Sequence, residues 1–187
     1  MNFELNVKEI KLETFILTGK IFDEKIINNL TDIVKKNKDD KLSYKTNVKG
    51  HFTGFKTLIN DPNFHDFLKL IQPYINIIYK NDFIIDDAWG NICKKGDEVT
   101  EHDHGENAFC GILYLSNGGP GTYFKDYDIT INEEIGKYVL FHSKLLHSVK
   151  KIEKDMNRIT VAFNMGKIKD WEKDLHNNLT CVIKNEI

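Results

Sequence analysis

The spacing of hydrophobic positions changes part way along the chain. From Asp23 to about Lys36, DEKIINNLTDIVKK sets Ile26, Ile27, Leu30, Ile33 and Val34 at helical spacing. Its acidic start and basic end suit the helix dipole, so the pattern predicts an amphipathic helix laid on a sheet. A second helix is expected from Asp61 to about Tyr79, with Asp61 at its cap, Pro62 in its first turn, and Phe64, Phe67, Leu68 and Leu70 following at helical spacing. Pro73 is expected to divide it. Ahead of both, FELNV and ETFILTG read as one or two strands leading into the domain. Between them, KNKDDKLSYKTNVKGHFTGFKT is polar and broken by glycine, which predicts a loop; residues 37–57 are a candidate lid over a site.

After Asn81 the helical period gives way to short apolar or alternating runs. FIIDDAWGNIC, AFCGILYL, GTYFK, YDITI, KYVLF, HSV and RITVAFN read as successive strands, with LTCVI as a candidate last one. Two helices followed by such a series predict a mainly β (α+β) fold, a double-sheet jelly-roll barrel with helices braced on one side. At 187 residues the chain is expected to be one domain, with 1–80 as helical support and lid and 81–187 as the barrel core.

Composition narrows the function classes. A net charge of -2 with acids and bases interspersed calls for neither nucleic acid nor an anionic membrane as partner. The apolar runs are too short for a membrane span and the N-terminus has no signal-peptide core, so a cytoplasmic protein is expected. Cys93, Cys110 and Cys181 are odd in number and without a CxxC pair, which argues against a disulfide framework and favours reduced, buried thiols.

The chemistry concentrates between Trp89 and Leu115 and in two later strands. His102 and His104 are two residues apart, so in extended backbone both imidazoles project to one side, where they can converge on a metal. A third, His147, lies in LLHSV, where a barrel strand can bring it opposite the pair. Three neutral nitrogens suit zinc, iron or copper, so the donor set does not name the metal. Arg158 is the only arginine, and lysine supplies every other basic side chain. A forked, permanently charged donor fits bidentate binding of a carboxylate. Alternation in RITVAFN puts Arg158, Thr160, Ala162 and Asn164 on one polar face and Ile159, Val161 and Phe163 on a packed one, making a carboxylate seat with Thr160 as a second donor. The bland alternative is an ion pair between Arg158 and Glu153 or Asp155. His51 reads as a solvent-facing loop residue, His142 as structural or solvent-facing, His176 as surface, and Trp89 as core.

The succession HDHGENAFCGILYL, FHSKLLHSV and NRITVAFN, over about residues 84–165, resembles the small HxH-type iron(II)- and 2-oxoglutarate-dependent oxygenases. The resemblance implies a double-stranded β-helix with iron(II) in its mouth, 2-oxoglutarate and dioxygen as co-substrates, and hydroxylation of a small molecule or protein side chain coupled to decarboxylation of 2-oxoglutarate to succinate. It places His102, His104 and His147 on the metal and Arg158 on the distal carboxylate of the co-substrate. Tyr114 falls where such enzymes often add a phenolic hydroxyl, and Asn91 is a contact for the other end. Most of the superfamily carries a carboxylate where His104 stands. A rival frame uses His104, Glu106 and His147, although the count to GILYL fits the all-histidine frame. Two other readings stay open. A cupin is similar at Gly96 and the histidine pair but lacks the following glutamate, near Ala108 and Phe109; the second is a non-catalytic metal- or acid-binding barrel.

Overall fold

The computed structural model describes residues 4–9, 14–78, 83–105, 109–167 and 182–183. Its strands are β1 (Glu4–Glu9), β2 (Phe15–Lys20), β3 (Val48–Lys49), β4 (His51–Phe52), β5 (Phe83–Cys93), β6 (Glu98–His102), β7 (Phe109–Tyr114), β8 (Thr122–Phe124), β9 (Ile129–Ile131), β10 (Lys137–His142), β11 (His147–Val149), β12 (Arg158–Lys167) and β13 (Val182–Ile183). They form two sheets. The larger runs β1-β2-β10-β7-β12-β5-β13 with β4 added to β5; the smaller runs β3-β6-β11-β8-β9. Every pairing is antiparallel. This is the double-sheet jelly roll that the strand pattern predicts, with helices α1 (Glu24–Lys36) and α2 (Pro62–Ile78) on one side.

Helix α1 starts where Asp23 accepts a hydrogen bond from the Ile26 amide at 3.0 Å, satisfying one of the orphan donors of the first turn. It buries Ile26, Ile27, Leu30 and Val34. Gly90 on β5 lets it approach, because a Cβ there would overlap Val34. The packed face of β12, with Val161, Phe163 and Met165, joins Phe64, Phe67 and Ile71 of α2 in the same core. The Phe163 ring meets Phe64 edge-on at 5.5 Å and lies directly over Gly111, where no side chain would fit. The larger sheet therefore turns its apolar side to the helices and keeps its other face for the barrel interior.

Two expectations need correction. Pro73 does not divide α2, which continues from Pro62 to Ile78. Pro73 and Lys69 both lie on the exposed side, so the carbonyl deprived of its helical donor faces water and the cost is small enough for packing to override. Residues 37–57 are not wholly loop. β3 joins the smaller sheet beside β6, and β4 joins the larger sheet beside β5, so this segment spans both sheets. Two-residue strands are too short for any periodicity to show. No helix among the described residues is long and apolar enough to cross a membrane.

Candidate metal and carboxylate site

Three imidazoles meet between the sheets. His102 ends β6 and His147 begins β11, directly opposite each other in antiparallel register. His104 lies two residues beyond the end of β6, where the strand has given way to a turn. Its amide donates to the Ser143 carbonyl at 2.9 Å, and the Ser143 hydroxyl donates to the Gly105 carbonyl at 3.2 Å. The turn is thereby tied to the end of β10, and Gly105 takes a positive φ of 61°. One potential ligand atom from each histidine lies within 4.8 Å of the other two.

Hydrogen bonds determine which nitrogens are presented. His102 Nδ1 donates to the Thr100 carbonyl at 2.8 Å, and His147 Nδ1 donates to the Leu145 carbonyl at 2.9 Å. A carbonyl only accepts, so the proton of each neutral ring is on Nδ1 and the lone pair is on Nε2, the arrangement that metal-binding histidines use. His104 Nε2 is 3.3 Å from His147 Nε2. Burial pushes all three rings toward the neutral form. His104 is lowered to about 4, by desolvation first and then by His102, and His147 to about 3, by desolvation, His102 and His104; His102 moves in the same direction. The donor set is thus neutral at physiological pH and ready to bind a cation.

These shifts predict an acid sensitivity. An unfolded histidine takes up a proton near pH 6.5, whereas the folded ones refuse it until about pH 4 or 3. The unfolded chain binds more protons over that window, so the metal-free protein should lose stability as pH falls below about 6.5. The unfolding temperature should drop between pH 7.5 and 5, and drop less in His147→Gln. Identical slopes for the two proteins would refute the assignment.

Opposite the histidines, β12 lines the cavity with Arg158, Thr160 and Ala162. The cavity is about 50 Å³, and one water needs roughly 10–15 Å³, so the mouth is not filled with packed hydrocarbon. Arg158 is only 2% exposed. Its Nε donates to the Pro120 carbonyl at 3.2 Å and Nη2 to Thr122 Oγ1 at 3.4 Å, while its guanidinium lies 5.4 Å from the Tyr114 ring centroid. Among the described residues no carboxylate forms a salt bridge with it, and Glu153 and Asp155 are exposed. Burying a guanidinium with no carboxylate in direct contact is costly, and a bound anion would offset that cost.

The other sequence-derived residues fall at different depths. Thr160 is buried and accepts from Asn91 Nδ2 at 3.4 Å; Asn91 in turn accepts from Trp89 Nε1 at 3.1 Å. All three line the cavity, so Trp89 belongs to its wall as well as to the core. The Tyr114 hydroxyl does not point into the cavity. It donates to Thr122 Oγ1 at 2.7 Å, and burial raises its pKa. Thr122 lines the cavity and links Tyr114 to Arg158, a role that the short run GTYFK gave no sign of. Asn47 was likewise unforeseen: it lines the cavity, with Nδ2 2.9 Å from His102 Nε2. His51 is half-buried on β4 and bonds to Ser43 at 2.9 Å, so it is neither a ligand nor a free loop side chain. Glu106 and His176 lie outside the described residues.

No family model matches the chain, and no curated protein matches it in sequence. Solved structures do share its fold. The viral collagen prolyl hydroxylase of Paramecium Bursaria Chlorella virus-1, solved with 2-oxoglutarate, superposes with a TM-score of 0.65 at 15% identity, covering 81% of this chain and 96% of that one. A 2OG-Fe(II) oxygenase family oxidoreductase from Burkholderia pseudomallei gives 0.60 at 12% identity over 82% and 84%. HygX from Streptomyces hygroscopicus, solved with nickel and 2-oxoglutarate, gives 0.61 at 11% over 83% of each. At such identities the likeness is one of fold: this chain has the double-stranded β-helix architecture of those proteins.

Proposed function

We propose that this chain is an iron(II)- and 2-oxoglutarate-dependent oxygenase that hydroxylates a small molecule or a protein side chain. The observation carrying this reading is the pairing, in one cavity, of three converging imidazoles with a buried arginine that lacks a carboxylate partner among the described residues. The fold likeness supports it, since proteins of this architecture have been solved with 2-oxoglutarate and a metal bound. His102, His104 and His147 would hold the metal through nitrogen, with the Thr100 and Leu145 carbonyls keeping two of the rings in the right tautomer. Arg158 would take the distal carboxylate, assisted by Thr160 and by Thr122, which Tyr114 orients. Asn91, held by Trp89, lies beside Thr160 on the same wall. Iron with 2-oxoglutarate and dioxygen supplies C–H oxidation, with succinate and carbon dioxide as co-products. The protein's own part is to orient the co-substrate and to shield the reacting centre with the apolar wall of Trp89, Phe141 and Val149. Two buried free thiols, Cys93 and Cys110, suit a reducing cytoplasm.

The test is binding and turnover together. Calorimetric titration of the manganese-loaded protein with 2-oxoglutarate should show a single saturable site, and incubation with iron and ascorbate should form succinate as 2-oxoglutarate is lost. A cupin would bind the metal without the 2-oxoacid, and an inert scaffold neither. Absence of both the binding and the succinate would overturn the proposal.

A further inference from the structure

Among the described residues the three histidines offer nitrogen donors only. We propose that Asn47 adds an oxygen donor as a fourth metal-binding residue, through its side-chain carbonyl. This rests on the reading of His102, His104 and His147 as a metal site and adds a residue from outside their strands.

The side chain of Asn47 lines the cavity, and its carboxamide lies 2.9 Å from His102 Nε2, the nitrogen that bears the lone pair. Two donors bound at right angles about 2.1 Å from one ion sit about 3 Å apart. The 2.9 Å between Asn47 and His102 and the 3.3 Å between His104 and His147 both match that separation. The amide nitrogen and oxygen of an asparagine exchange places by a half turn about χ2, so the atom facing His102 Nε2 can be the oxygen, which is a hard donor suited to a divalent cation. The same nitrogen lone pair cannot serve both a metal and an amide N–H. A metal at His102 therefore favours the orientation that presents Oδ1.

The backbone around Asn47 is built to hold it there. The Asn47 carbonyl accepts from the Thr100 amide at 2.9 Å and from the Thr100 hydroxyl at 3.2 Å. Thr100 is the residue whose own carbonyl orients the His102 ring. The next residue, Val48, enters β3 in register with Val99 of β6. One short ladder thus positions both the imidazole and the carboxamide. His102, His104, His147 and Asn47 would then hold the ion through four neutral donors, of which the amide oxygen is the weakest.

Equilibrium binding of cobalt(II) and manganese(II) to the full chain, with the absorption spectrum of the cobalt form, tests the assignment. Asn47→Ala should lower affinity about tenfold and shift the cobalt spectrum. Asn47→Asp places a carboxylate at the same position and should raise affinity about tenfold, a gain that misfolding cannot produce. Affinities within twofold of the parent protein for both variants, with an unchanged cobalt spectrum, would overturn the role of Asn47 while leaving the histidine site intact. A parent protein that binds neither ion would overturn the metal site itself, and this inference with it.

Discussion

Arg158→Lys should weaken 2-oxoglutarate binding by about 30-fold or more, roughly 2 kcal/mol, while changing metal affinity by less than about threefold. The substitution keeps the charge and removes the fork. Lysine cannot place two parallel N–H groups on one carboxylate, nor keep the donors that now reach the Pro120 carbonyl and Thr122 Oγ1. Its stem would also lack the flat cation that packs against the Tyr114 ring. Because Arg158 is 2% exposed, solvent cannot make good what the fork supplied. Calorimetry with manganese and with 2-oxoglutarate separates the two affinities. Equal losses in both would mean that the arginine holds the barrel together rather than a ligand.

Removal of His147 should have the largest effect on the metal. His147→Ala is expected to lower affinity more than about 100-fold, since it deletes one of three nitrogen donors from a centre that has no acidic ligand among the described residues. The ring is only 4% exposed and packs 4.7 Å from Phe141, so the variant also leaves a cavity between the sheets. His142→Ala is the matched control. It removes an imidazole at the end of β10, outside the cavity lining, and should leave metal content unchanged. Metal analysis after dialysis reads both variants. Full occupancy in His147→Ala, or equal loss in His142→Ala, would place the metal elsewhere.

Much of the barrel was legible because its longer strands, β5, β7, β10 and β12, are short runs that are either apolar or alternating, and glycine, asparagine and aspartate break the chain between them. On β12, alternation in RITVAFN put Arg158 and Thr160 on the face away from Val161 and Phe163, and the first two line the cavity while the other two join the core beneath the helices. The bridging of the sheets by residues 48–52 was not legible. It rests on pairings with β6 and β5, some fifty and forty residues further along, and nothing local in KTNVKGHF encodes them.

The sequence by itself determined the chemical inventory: one forked cation, a histidine pair with a distant third, and strand faces sorted into apolar and polar. Those depend on side-chain type and on the two-residue repeat, both of which are local. Only the tertiary structure decided that His147 stands opposite His102, that the Tyr114 hydroxyl serves Thr122 instead of the cavity, and that Asn47 comes within reach of an imidazole nitrogen. Each of these is a contact between segments far apart in the chain, set by sheet register and by the competition of buried polar groups for partners, and no local pattern specifies either.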